Sequence, residues 1–251
     1  ACHAHGLGRR DGAARCRLKE AHGAAAATLN DIVLTILADL LVAHPLVATR
    51  WEETHLVVPD AGRIDIGLAV DAGGGLVVPV IRDVGRSSLE EVARRSRELV
   101  AAARAGRLTA ADMHGGVFTL TSLGSYGVEF FAPVINWPQA AILGLGTIRA
   151  VPTPAAGTAS GVAFRDQLPL SLTFDHRIVD GGPAARFLHD LAARIAGCTP
   201  RVIVPAPFVS PSAALPIGCC GDAFKGPRVE GAACSGQATG RWMGRLLVDG
   251  R

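Results

Sequence analysis

Leu168-Pro169-Leu170-Ser171-Leu172-Thr173-Phe174-Asp175-His176-Arg177-Ile178-Val179-Asp180-Gly181-Gly182 is the stretch on which the reading of this chain turns. Leu168, Leu170, Leu172 and Phe174 alternate with polar or small residues, which is the period of a half-buried strand. A histidine follows at once, an aspartate stands four residues later, and two glycines precede a helical pattern over Ala184 to Ala196 carrying Phe187, Leu188, Leu191 and Ile195. Strand ends that feed loops suit catalytic groups, because a rigid element fixes the loop. Histidine is the side chain best matched to proton transfer near neutral pH. The alternative is a plain strand–turn–helix junction whose histidine is merely polar and exposed.

Outward from that stretch the pattern mixes helices and strands. Thr28 and Asp31 have capping-box spacing, and Ile32, Val33, Ile36, Leu37, Leu40 and Leu41 recur at helical spacing up to His44-Pro45. Their wide apolar arc predicts a mostly buried helix. A further helix is expected over Ala13 to Ala21. His55 to Val58 and Ile64 to Val70 read as strands, Gly73 to Gly75 as a turn, and Leu76 to Ile81 as one strand marked by Pro79 as an edge or bulge. Ser87 with Glu90 reads as a second capping box, opening a helix that ends near Gly106; Thr109 with Asp112 opens a short turn. Val117 to Thr121 and Ala140 to Gly146 are further strands, with a loop at Gly124 to Gly127. Without strict βαβ alternation, the order argues for an α+β fold. Residues 1–16 show no periodicity, and from about residue 200 Gly, Pro, Cys and Arg dominate, so 200–251 reads as an irregular tail of unknown role.

Composition narrows the function classes. The 251 residues are 49 % hydrophobic and only 19 % charged, with mean hydropathy +0.31. That excludes a disordered chain. A net charge of +3 is a weak field for a nucleic-acid partner. The apolar run Ile32 to Ala43 is broken by Asp39 and is shorter than the ~20 residues of a membrane span, so no membrane role is expected. Cys2, Cys16, Cys198, Cys219, Cys220 and Cys234 lie near the two ends without zinc spacing, which fits a reducing cytoplasmic compartment, or the mitochondrial matrix in a eukaryote. His44, His55, His114 and His189 show no ligand spacing, and no metal is expected. Gly73 to Gly75 opens no helix and carries no Lys-Ser/Thr, so it is not a phosphate loop.

The segment D-H-R-x-x-D-G after an alternating strand resembles the signature of the catalytic domain of dihydrolipoamide acyltransferases, the E2 components of 2-oxoacid dehydrogenase complexes. Four more segments agree in order: Leu29-Asn30-Asp31; Asp65 to Val70 followed by Gly75 to Ile81; Phe118 to Gly127; and Pro133-Val134-Ile135-Asn136, Pro138 and Ala141 to Gly144. The resemblance covers 17–199 and leaves 1–16 unassigned. It implies a two-layer sandwich of a mixed β-sheet with helices, like chloramphenicol acetyltransferase, in which three subunits join and each active site lies between two of them. Self-association of this kind accounts for part of the apolar excess.

The resemblance also assigns roles. His176 is the general base for a thiol, and Thr121 from the neighbouring subunit donates a hydrogen bond to the tetrahedral oxyanion. Ser122 and Ser125 are fallback hydroxyls. Asp180 either anchors the histidine loop through an ion pair or is only a turn residue. Asp175, Arg177 and Gly181 are candidate substrate-binding residues. Coenzyme A is the implied co-substrate, with the lipoyl group supplied by a separate domain. The implied partners are further copies of the chain, as a trimer or a multiple of trimers, and the E1 decarboxylase and E3 dihydrolipoamide dehydrogenase components. An acetyl or branched-chain acyl group fits better than succinyl. Residues 1–16 do not reproduce the Arg-rich helix and strand with which the family domain begins, so the fold is expected to be N-terminally incomplete and the partner of Asp180 stays open. The alternative function is a non-catalytic core or scaffold homologue of the same fold. A peptide-synthetase-like condensation domain is disfavoured, because its first motif histidine is Asp175 here.

Overall fold

A six-stranded mixed sheet forms the centre of the molecule, seen in a computed structural model that describes residues 2–5, 27–52, 54–60, 62–154 and 161–197. Its strands in spatial order are β1 (Cys2–His5), β12 (Pro169–Phe174), β9 (Ala141–Leu145), β8 (Phe118–Ser122), β4 (Ile66–Leu68) and β7 (Val80–Ile81). β4, β8 and β9 run parallel; β1–β12, β12–β9 and β4–β7 pair antiparallel. Three two-stranded ribbons complete the strands: β2 (Arg50–Glu52) with β3 (His55–Val57), β5 (Val70–Asp71) with β6 (Leu76–Val77), and β10 (Arg149–Pro154) with β11 (Val162–Gln167). The helices are α1 (Leu29–Ala43), α2 (Leu89–Arg104), the single turn α3 (Ala110–Met113) and α4 (Gly181–Gly197). This is the mixed sheet with helices that the α+β reading expects.

Helix α1 starts where its sequence says it should. Thr28 caps it, the Thr28 hydroxyl accepts from Asp31 N, and Asp31 reaches back to Thr28 N at 2.7 Å. Val33, Leu34, Ile36, Leu37, Leu40 and Leu41 are buried, forming the wide arc. Helix α4 packs Phe187 against Phe118 of β8, with ring centroids 5.9 Å apart. Leu188, Leu191 and Ile195 join the same core.

Four expectations change. The second cap is shifted by one residue. Ser88, not Ser87, is the N-cap of α2, accepting from Glu91 N at 3.2 Å, while the Ser87 hydroxyl donates to Asp83 O at 2.8 Å and accepts from Arg95 Nη1 at 3.2 Å. The single strand expected over Leu76 to Ile81 is split at Pro79. Val70–Asp71 takes Leu76–Val77, Ile66–Gly67 takes Val80–Ile81, and the Pro79 carbonyl accepts from Leu68 N. Proline has no N–H to continue the ladder, which is the physical reason. The β10–β11 hairpin carries no legible signal, since Pro152 and Pro154 speak against a strand; a two-stranded ribbon has free edges that tolerate them. At the start of the chain, Cys2–His5 forms an edge strand against β12 where no element was expected. The expected helix over Ala13 to Ala21 and the tail 200–251 lie outside the described residues.

Candidate active site

Residue pairing across the sheet sorts the side chains into two faces. Ile66, Leu68, Phe118, Leu120, Leu143, Leu145, Leu170 and Leu172 share the helix side. Gly67, Thr119, Thr121, Ile142, Gly144, Ser171 and Thr173 share the other. On that second face lies not a helix but residues 128–139. Phe131 covers Gly144, where an added Cβ would sit 2.7 Å from the ring, and Gly146 meets the Glu129 carbonyl so closely that only glycine fits. The same segment reaches Thr119. Its buried hydroxyl donates to Gln139 Oε1 at 2.6 Å, and Gln139 Nε2 donates to the Gly116 carbonyl at 3.1 Å. Burying these polar groups is tolerable because they are paired.

His176 stands on the turn after β12. The Asp175 N–H extends the sheet by donating to Ala140 O at 2.8 Å. Its carbonyl accepts from Ile178 N at 3.0 Å and Val179 N at 2.9 Å, which folds the turn back toward α4. The imidazole is half-buried and lies edge-on to Phe174, with centroids 4.7 Å apart. On either side of it, Asp175 and Arg177 bind each other. Arg177 Nη2 donates to Asp175 Oδ2 at 2.6 Å, Nε donates to Oδ1 at 3.0 Å, and the Arg177 N–H donates to Oδ1 at 2.9 Å. The Arg177 guanidinium holds the Asp175 carboxyl below its ordinary range, against the opposing pull of burial. The Arg177 pKa is raised in turn by Asp175.

Thr121 lies at the far end of β8. Its half-buried hydroxyl has no hydrogen-bond partner among the described residues, so it is free to donate to a bound group. Ser122 follows on the helix side, and Ser125 sits exposed on the 3-10 turn Gly124–Tyr126. That turn is tied down by the Tyr126 hydroxyl, which donates to Asp71 Oδ2 at 3.1 Å. The structure does not bring Thr121 and His176 together in one chain. Thr121 pairs with Gly144 and Gly144 with Ser171, whereas His176 lies beyond Phe174 on the antiparallel β12. At ~3.3 Å per residue, the separation along the strands alone exceeds roughly 10 Å, with two strand spacings of ~4.8 Å across.

Asp180 is exposed, and its carbonyl accepts from Ala184 N at 3.1 Å at the start of α4. No ion pair reaches its carboxylate among the described residues. A negative charge there complements the helix dipole, typically by about 0.3–1 kcal/mol. Gly181 is buried as the first residue of α4. Two neighbours of the histidine turn carried no site signal in the sequence. Trp51 and Trp137 both lie against the Arg177 guanidinium, 4.5 Å and 5.9 Å from ring centroid to Cζ. The Pro133 to Gly144 run hinted at a functional segment, but nothing local says that its tryptophan meets a residue 40 positions away. Among the described residues no group of three or more His, Cys, Asp or Glu is arranged to hold a metal, and no helix is long and apolar enough to cross a membrane.

Known proteins resemble this chain in sequence and in fold. Over 170 residues the chain is 44 % identical to the dihydrolipoyllysine-residue acetyltransferase component of the pyruvate dehydrogenase complex of Haemophilus influenzae, covering 65 % of this chain and 28 % of that one. The corresponding component of Mycoplasma capricolum is 38 % identical over 181 residues, 69 % of this chain and 40 % of that one. The chain thus spans well under half the length of these relatives. Among solved structures, the cubic core of the pyruvate dehydrogenase multienzyme complex superposes with a TM-score of 0.71 at 34 % identity, over 78 % of this chain and 80 % of that one. The probable dihydrolipoamide acetyltransferase of Listeria monocytogenes gives 0.70 at 31 %, over 82 % and 86 %. Residues 12–202, which include the histidine turn and the sheet apart from β1, match the family model of the 2-oxoacid dehydrogenases acyltransferase catalytic domain, and to that family the chain belongs.

Proposed function

We propose that this chain is the acyl-transferring core of a 2-oxoacid dehydrogenase complex, moving an acyl group, acetyl by preference, between dihydrolipoamide and coenzyme A. The observation that carries the reading is the half-buried His176 on a turn anchored to the sheet through Asp175. The imidazole takes the S–H proton of the incoming thiol. The thiolate adds to the thioester carbonyl carbon, and the electron pair of the C=O moves onto oxygen. Thr121 donates its hydroxyl hydrogen to that oxyanion. The intermediate collapses, the C–S bond to the departing thiolate breaks, and the imidazolium returns the proton. A positioned base contributes about 10²–10⁴ in rate.

Because Thr121 and His176 lie at opposite ends of the sheet, one chain supplies half of each of two sites. A closed ring of copies completes them, and a trimer is the smallest such ring that fits the resemblance. Asp180 caps the histidine loop, with Ser122 and Ser125 beside the oxyanion end. Coenzyme A and a lipoyl arm carried by another domain are the substrates, and E1 and E3 components are the partners, as the pyruvate dehydrogenase relatives suggest. The cysteine distribution supports a reducing compartment, the cytoplasm or, in a eukaryote, the mitochondrial matrix.

The test is acetyl transfer from acetyl-CoA to free dihydrolipoamide. His176→Asn is expected to lose two or more orders of magnitude with melting temperature and assembly mass unchanged. Turnover at the level of the unsubstituted chain refutes the reading. A chain inactive before substitution, yet still assembled, is a scaffold instead.

A further inference from the structure

Next to the proposed base stand two residues that were candidates for holding substrate, Asp175 and Arg177. The geometry gives them other work. Two of the three guanidinium nitrogens of Arg177 point at the Asp175 carboxylate, through contacts of 2.6, 3.0 and 3.1 Å. Its Cζ also lies over two indole rings, 4.5 Å from the centroid of Trp51 and 5.9 Å from that of Trp137. An arginine that gives Nε and Nη2 to a carboxylate and rests on two indoles is already tied to its own protein on several sides, although the side chain stays 57 % exposed.

The two tryptophans come from parts of the chain that are themselves fixed. Trp51 belongs to β2, and its N–H donates to the Pro138 carbonyl at 2.8 Å. Trp137 sits between Asn136 and Pro138, one residue from a carbonyl that receives Gln139 N at 3.0 Å and two from Gln139, which is bound to buried Thr119. Arg177 therefore ties the histidine turn to the segment lying on the second face of the sheet. We propose that the Trp51–Arg177–Trp137 stack, closed by Asp175, is a positioning device that sets the orientation of His176, and that Arg177 is a positioning residue and not a substrate ligand. The proposal rests on His176 being the base.

Each contact is modest by itself. The leverage is geometric. A misplacement of about 1 Å in a reacting group can cost about 100-fold in rate while binding is retained. Lysine keeps the charge at 177 but has neither the planar fork nor the stacking face.

The experiment measures kcat and KM for both substrates in the acetyl-transfer assay with Arg177→Lys, Trp137→Leu, the double variant and His176→Asn, each checked for melting temperature and assembly mass. Trp137 is 61 % exposed, so Trp137→Leu leaves folding intact even where Arg177→Lys does not. The expected result is a roughly tenfold lower kcat for Arg177→Lys and about threefold for Trp137→Leu. Both KM values should stay within about twofold, and the double variant should be no worse than Arg177→Lys, as members of one unit behave. A raised KM for coenzyme A with kcat retained makes Arg177 a substrate ligand and overturns the proposal. Unchanged kcat in both single variants, beside an inactive His176→Asn, overturns it while leaving the function standing. An active His176→Asn removes both.

Discussion

The two faces of the central sheet are made of different material. Toward the helices, β4, β8, β9 and β12 present Ile66, Leu68, Phe118, Leu120, Leu143, Leu145, Leu170 and Leu172, all nearly or fully buried. Away from them the same strands present Gly67, Thr119, Thr121, Gly144, Ser171 and Thr173, with Ile142 as the one large apolar side chain of the set. The first face is filled by volume, and its return is stability through burial at about 25 cal/mol per Å². The second is kept shallow, so that residues 128–139 can lie on it almost backbone to backbone, as the Gly146–Glu129 contact shows. What that face holds is position: the hydroxyl strand, the tryptophan behind Arg177 and the turn bearing His176 all register against it. One face is filled for stability, and the other carries residues proposed for the chemistry.

That division can be broken by substitution. Phe118→Ala removes a fully buried ring from the helix face and is expected to cost about 3–5 kcal/mol of stability, read in denaturant unfolding, with kcat of the folded fraction near normal. Gly146→Ala acts on the other face. Its Cβ collides with the Glu129 backbone, so segment 128–139 must shift, and the expected cost is about 1–3 kcal/mol with a disproportionate loss of kcat. Equal effects on kcat in the two variants would end the distinction between the faces.

The smallest effect lies at the edge, in the Asp175–Arg177 pair. The carboxyl pKa is depressed in the fold below its ordinary value of 3.8, so the ionised form is favoured there. The pair therefore contributes fully above that ordinary value and is lost as pH falls through the lowered one. Acid unfolding of the unsubstituted chain is expected to steepen below pH ~4 relative to Asp175→Asn, by no more than about 1 kcal/mol for a pair this close to solvent. Parallel acid limbs would show that the pair contributes no stability.

Much of the helix face was legible in the sequence, because its signals are local. Thr28 and Asp31 cap a helix with side chains three residues apart, and Leu168 to Phe174 alternates within a single strand. At Ser87 the same logic slipped by one residue: two adjacent serines compete, and the Ser87 hydroxyl is engaged by Asp83 O as donor and by Arg95 Nη1 as acceptor, partners the capping-box spacing does not show. The ribbons β2–β3 and β10–β11 were harder to read because three-residue strands and prolines carry no period.

The site divides in the same way. The α+β order of elements, the buried helix α1 and the turn that carries His176 were legible from the residues alone, since each depends on neighbours a few residues apart. The fold puts Thr121 and His176 at opposite ends of the sheet, which residue spacing does not show, because strand direction is a property of pairing. It also decided that Arg177 is shared by Asp175, Trp51 and Trp137. A guanidinium takes its partners from whatever the fold packs beside it, and residues 51, 137 and 177 become neighbours only when the chain closes over the second face of the sheet.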